Sequence, residues 1–232
     1  MDSAVYELYC DVTPLRPQQL AALRASHNQY QELVGLIGEP HAGSYTGPAL
    51  SRCTLIVAGP ASSGKSTVLR ACSLFAVAAR GQDGLLVCRD ASACQQAYES
   101  LNRVCRQLGM QGLVVVGPWN GPSSAAWPTA RESVPHLWVA DPEELPAFLN
   151  DERLRPYLEW VAWDDMDRVV KERHGLLAAL ETHAARLFQM PVPFQLLLAS
   201  SQPAAELREF ALRRLGWPAQ QVQQRLFVLP AD

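Results

Sequence analysis

The segment Gly59-Pro60-Ala61-Ser62-Ser63-Gly64-Lys65-Ser66 has the spacing G-x-x-x-x-G-K-S/T and follows directly on the apolar run Thr54-Leu55-Ile56-Val57-Ala58. This spacing works only where a buried strand turns sharply into a helix and leaves successive backbone N–H groups facing inward around an anion. Gly59 and Gly64 permit that path. Val68, Leu69, Cys72, Leu74, Phe75 and Val77 then recur at helical spacing, which predicts an amphipathic helix from about Thr67 to Ala79 with its positive end beneath the loop. The motif implies a nucleoside triphosphate, ATP or a relative, with Mg²⁺. Gly59, Pro60, Ala61, Ser62, Ser63, Gly64 and Thr67 would surround the phosphates, Lys65 would reach the β- and γ-phosphates, and the Ser66 hydroxyl would face the metal ion.

Beyond the loop, β-rich apolar runs alternate with helical patterns. Strands are expected at Gly84–Cys88, Leu113–Gly117, His136–Ala140, Leu158–Trp163, Phe194–Ala199 and near Arg225–Leu229. Helices are expected at Ala91–Leu108, Pro142–Asn150, Gly175–Gln189 and Pro203–Leu215. Strands apolar on both faces, separated by helices, predict an α/β fold with a mainly parallel sheet between two helical layers. Ligands in such folds bind at the carboxyl ends of the strands, where the Gly-rich loop lies. With 48% hydrophobic and 19% charged residues, all 232 residues are expected to form one domain. Residues 38–51, rich in Gly, Pro and Ser, read as a loop insertion. Gly117–Pro135 reads as another loop, whose Trp119 and Trp127 pack on the domain surface.

A net charge of −3 and a pI near 6.0 exclude a global electrostatic pull toward nucleic acid, so any such contact must be local. The six cysteines, Cys10, Cys53, Cys72, Cys88, Cys94 and Cys105, contain no C-x-x-C pair and read as reduced thiols of an intracellular protein. No apolar run approaches the roughly 20 residues that cross a bilayer. The expected location is the cytoplasm, with the nucleus or ribonucleoprotein granules as alternatives.

A second chemical site stands at Val161-Ala162-Trp163-Asp164-Asp165-Met166-Asp167, an apolar strand ending in carboxylates. Such a loop needs an acid at the end of a neighbouring strand to hold Mg²⁺, and a second acid to orient the attacking water. Asp164 takes the first role and Asp165 the second.

With these residues in place, the chain resembles the first RecA-like lobe of a DEAD-box RNA helicase, collinearly over nearly its whole length. Asp164-Asp165-Met166-Asp167 and Arg168-Val169-Val170 stand where that family has Asp-Glu-Ala-Asp and its sequel. Ala199-Ser200-Ser201, before Pro203, stands for Ser-Ala-Thr, and Arg89-Asp90-Ala91-Ser92-Ala93-Cys94-Gln95 falls within Pro-Thr-Arg-Glu-Leu-Ala-x-Gln. Asp141-Pro142-Glu143-Glu144-Leu145 aligns with Thr-Pro-Gly-Arg-Leu, and Arg16-Pro17-Gln18-Gln19 with the adenine-reading Pro-Thr-x-Gln. The resemblance implies a P-loop NTPase lobe that binds ATP and Mg²⁺ and takes part in ATP hydrolysis, with negligible turnover expected of the isolated lobe because the family's second lobe supplies the arginine fingers. It gives Gln19 to adenine, and Asp167 and Ser201 to coupling between nucleotide and strand separation. It also implies RNA, a second RecA-like lobe and protein partners, and a longer parent protein.

The departures bear on activity. Asp90, Asp141, Glu143 and Glu144 replace neutral or basic groups that line RNA in the family, which inverts the local field. Asp165 is one methylene shorter than the family's glutamate, and misplacement by about 1 Å can cost ~10²-fold in rate. Ala199 removes one hydroxyl of Ser-Ala-Thr. The decay is similar to that in Tudor-domain helicase-like proteins of the piRNA small-RNA silencing pathway. A weakened helicase lobe, an inactive helicase-like scaffold and another P-loop NTPase or kinase all remain open on these residues.

Overall fold

The computed structural model describes residues 15–37, 53–118, 134–150, 158–167, 178–183, 185 and 194–230. The loop expected at 38–51, Cys10, Trp119, Trp127, Arg168-Val169-Val170 and most of the helix expected at Gly175–Gln189 lie outside them.

In chain order the elements are α1 (Pro17–Ile37), β1 (Thr54–Ala58), α2 (Lys65–Arg80), β2 (Asp83–Val87), α3 (Ala91–Gln107), β3 (Val115–Pro118), β4 (His136–Ala140), α4 (Leu145–Asn150), β5 (Leu158–Trp163), β6 (Gln195–Ser200), α5 (Ala204–Arg213), α6 (Ala219–Arg225) and β7 (Leu226–Val228). Residues 178–183 are also helical. Seven strands form one sheet in the order β3-β4-β2-β5-β6-β1-β7, and every pairing is parallel. The mainly parallel α/β sheet expected from the sequence is therefore present.

Alternation along each strand distributes the apolar side chains between two cores. Ile56 and Ala58 of β1 join Phe148, Leu207 and Phe210 on one face. Leu55 and Val57 join Ala22, Leu23, Leu69 and Phe75 on the other. Gly84 shows how tightly this second face is packed. A Cβ there would lie 2.5 Å from Val77 Cγ2 and 3.2 Å from Trp160 Cδ1, both in buried side chains. Gly84→Ala is expected to cost about 1–3 kcal/mol by overpacking, read as a lowered melting temperature.

Most element ends fall within one or two residues of the sequence expectation, and the larger differences have physical causes. The helix expected from Pro142 begins at Leu145, because residues 142–144 form a turn closed by Asp141 and Glu144. β3 starts at Val115 rather than Leu113, whose side chain is 55% exposed. α1 and α6 carry no apolar stripe by which the sequence would mark them.

The amino end of the sheet holds a buried polar cluster. Gln195 Nε2 donates to Ser26 O at 2.9 Å and Gln29 Oε1 at 3.0 Å, and Gln29 Nε2 donates to Thr54 O at 3.3 Å. Arg80 donates to Gln195 Oε1 and sits over the Trp160 ring, whose Nε1 donates to Ser73 Oγ at 2.9 Å. These bonds satisfy groups that burial would otherwise leave at a cost of about 1–3 kcal/mol each.

Candidate functional site

β1 ends at Ala58, and Gly59 N donates to Ser200 O at 3.1 Å, so the loop leaves the sheet beside the end of β6. A side chain at Gly59 would meet Ser63 Oγ at 2.4 Å and Leu229 Cβ at 3.1 Å. Gly64 closes the turn with φ 84° and stands at the N-cap of α2. A Cβ on Gly64 would lie 1.9 Å from Gln19 Nε2, so Gly64→Ala meets both a left-handed backbone and a collision. That variant is expected to disorder the loop, read as faster amide exchange at residues 61–66.

Lys65 is buried inside the loop, and its Nζ donates to Gly59 O and Pro60 O, both at 2.7 Å. Ser63 is 1% exposed, and its hydroxyl has no hydrogen-bond partner among the described residues. A buried ammonium and an orphaned hydroxyl within one loop are the donors an anion requires. Gln19, the first buried residue of α1, places Nε2 at 3.4 Å from both Ser63 O and Gly64 O, while its Oε1 accepts from Arg16 N at 2.8 Å. The structure thus brings Gln19 against the loop, although about forty residues separate them in sequence.

Parallel strands lie about 4.8 Å apart, so the end of β5, two positions from β1, comes within about 10 Å of the loop. There Asp164 N donates to Val87 O at 2.8 Å and Met166 N to Ala199 O at 2.9 Å, which pins the acidic turn between β2 and β6. Ser66, the second residue of α2, is on the side of the loop that favours a charged Asp164 carboxylate. Burial pushes the Asp164 carboxyl above the usual carboxylate range, and Asp165 adds to this; Ser66, Arg70 and Lys65 act in the opposite sense. Arg70, on the next turn of α2 after the loop, was not among the residues the motifs singled out.

Asp165 has φ 59°, a conformation that Asp tolerates better than most residues. Its Oδ1 accepts from Ser201 Oγ at 3.4 Å and its Oδ2 pairs with Arg89 Nη1 at 3.5 Å. Asp167 accepts from Ser201 N at 3.1 and 3.2 Å and from the Ser200 hydroxyl. The Ser200 hydroxyl thus bonds Asp167 directly, a contact the sequence reading did not assign. Its signal was its place as the last residue of β6, beside the acidic turn.

Three carboxylates of the strand ends, those of Asp90, Asp141 and Glu144, are committed to local structure. Asp90 caps α3 through Ala93 N at 2.8 Å and pairs with Arg89 Nε at 2.9 Å, which together hold its carboxyl below the usual range. Asp141 Oδ1 accepts from Glu143 N at 2.8 Å and Glu144 N at 3.3 Å, and Glu144 reaches back to Asp141 N at 3.4 Å. That is a reciprocal capping box. Burial, with Asp141 nearby, raises the Glu144 carboxyl above its ordinary value.

The sequence matches no family model and no curated protein. Among solved structures, the chain is similar to the DUF1998 helicase MrfA bound to DNA, with a TM-score of 0.67 and 14% identity. This chain has the fold of a RecA-like helicase lobe. The match covers 100% of this chain and 30% of that helicase chain, so the lobe spans under a third of the neighbour's length. MrfA bound to DNA and AMPPNP is similar at a TM-score of 0.54 and 14% identity, over 94% of this lobe and 29% of that chain. Among the described residues of the lobe, no helix is long and apolar enough to cross a membrane.

Proposed function

We propose that this chain is the ATP-binding lobe of a DEAD-box-type protein of RNA metabolism, with a weakened hold on RNA and slow ATP hydrolysis. One observation carries the reading: Lys65, the orphaned Ser63 hydroxyl, Ser66 and Asp164 converge on a single Gly-rich turn. These residues fit ATP with Mg²⁺. Lys65 would exchange two carbonyl partners for phosphate oxygens, Ser63 would gain an acceptor, and Ser66 and Asp164 would hold the cation. Mg²⁺ supplies neutralisation of the phosphate charge. Gln19 would present its amide to the adenine edge, and Asp165 would orient water.

Titration calorimetry with ATP tests this, with Mg²⁺ and again with EDTA. Binding at least about tenfold weaker in EDTA is expected; equal binding, or none in either buffer, overturns the reading. The acidic strand ends predict that a single-stranded RNA binds this lobe only weakly at physiological salt. Submicromolar affinity by fluorescence anisotropy would contradict that.

The commitment of both Asp165 oxygens, to Ser201 and Arg89, favours a second reading as a helicase-like scaffold that binds ATP without turnover. Asp165→Glu separates the two in a single-turnover assay with labelled ATP. Hydrolysis about tenfold or more faster than wild type supports a slowed enzyme, and an unchanged rate supports the scaffold. A role in piRNA silencing rests on the resemblance to Tudor-domain helicase-like proteins. RNA-metabolism partners and a second lobe rest on the same resemblance. A parent open reading frame carrying Tudor domains would support that placement.

A further inference from the structure

α3 packs against β3 and β4 but leaves a cleft of about 190 Å³ between its first two turns and the carboxyl ends of those strands. Ala91, Cys94 and Tyr98 line it from the helix, at the spacing that puts them on one face. Pro118 and Val139 line it from the strands. The turn after β4 supplies the charge, through Asp141 and Glu144. Asp141 Oδ1 and Glu144 Oε2 are occupied by the capping box, whereas Asp141 Oδ2 and Glu144 Oε1 have no hydrogen bond among the described residues. No lysine or arginine among the described residues lines the cleft.

We propose that this cleft receives an arginine side chain from a basic segment of a partner protein. Two carboxylates without a counter-charge repel phosphate, so the occupant is a cation. Much of the remaining lining is apolar or aromatic, which suits the methylene stem of a long side chain. A guanidinium presents its donors in one plane and can bond two carboxylates while stacking on the Tyr98 ring, whereas a lysine ammonium is a point charge with no plane to stack. Arginines seated in such pockets are frequent anchors of protein interfaces.

Two further observations agree with a cationic segment. Glu143, between the two lining acids, is exposed and extends the negative charge beyond the cleft, where neighbouring basic residues of the segment would lie. Burial and the nearness of Asp141 hold the Glu144 carboxyl above its ordinary value, and a cation beside it offsets that cost. The acids that disfavour RNA at this edge of the sheet thus favour a protein. Neither the cleft nor its occupant involves the phosphate loop.

Fluorescence anisotropy on the whole chain, at about 0.15 M salt, compares labelled peptides Gly-Ser-X-Gly-X-Ser-Gly in which X is arginine, lysine or citrulline. Citrulline keeps the planar shape and removes the charge. The arginine peptide is expected to bind about threefold or more tighter than the lysine peptide and about tenfold or more tighter than the citrulline peptide. Asp141→Asn combined with Glu144→Gln keeps the capping box, since each amide oxygen still accepts, and should weaken arginine-peptide binding by about tenfold or more. Tyr98→Leu should weaken it about threefold and reduce the preference for arginine over lysine. Glu206→Gln with Glu209→Gln removes the same charge from α5 and should change affinity by less than about twofold.

Equal affinity for the arginine and lysine peptides, an equal loss in the α5 variant, or no binding of the arginine peptide at about 1 mM overturns the proposal. Amide shifts at residues 141–144 caused by single-stranded RNA and not by the arginine peptide would assign the cleft to nucleic acid, and equally overturn it.

Discussion

Lys65→Ala is expected to weaken ATP binding by about 100-fold or more, measured by calorimetry with Mg²⁺ present. The Lys65 ammonium makes two bonds of 2.7 Å to Gly59 O and Pro60 O, which places it inside the turn before any ligand arrives. Charge-assisted hydrogen bonds contribute about 1.5–3 kcal/mol each, so losing two to phosphate oxygens suffices for that factor. Lys65→Met keeps the apolar stem and removes the charge. It should bind ATP as poorly as the alanine variant while melting closer to wild type. Affinity within about threefold of wild type in either variant would place the nucleotide elsewhere.

The second large effect concerns pH and a residue remote from the loop. Glu159 is 4% exposed and is the extra residue where β5 slips against β2, since Asp83 pairs with Leu158 but Gly84 pairs with Trp160. Burial raises its carboxyl from 4.5 to about 7, against the pull of Arg80. The folded chain thus holds this proton more tightly than the unfolded chain does. The resulting stabilisation is complete below about pH 4.5 and is lost as pH rises through 7, a change on the order of 3 kcal/mol. Glu159→Gln removes that dependence. Its melting temperature should match wild type near pH 5 and exceed it by about 6–12 °C at pH 8. A difference independent of pH would show that the carboxyl titrates normally.

The site was legible where chemistry demands fixed spacing. Gly59, Gly64, Lys65 and Ser66 announce a phosphate loop because few other backbones use two glycines and a lysine in that order, and the carboxylates after β5 announce the metal side. The central strands were legible because both faces are buried, which leaves uninterrupted apolar runs such as Leu196-Leu197-Leu198. α1 was not, since its buried stripe reads Gln19, Ala22, Leu23, Ser26 and Gln29, polar at three of five positions. α6 buries Val222 alone among Gln and Arg, so no periodicity marks it. Arg89, Arg70 and Ser200 went unassigned because their roles depend on which strands are neighbours. Sequence order does not reveal that β6 lies between β1 and β5.

α1 has a consequence for how the lobe tolerates change. Gln19 meets the loop after β1, and Gln29 meets Thr54 at the start of that strand. Ten residues of helix rise about 15 Å, and the five residues of β1 cover about 16 Å, so the helix matches the strand end to end. Its two anchors are therefore a gauge of fixed length and fixed rotation. One residue inserted between Gln19 and Ser26 would turn one end by about 100° against the other, leaving either the phosphate turn or the base of the sheet without its glutamine.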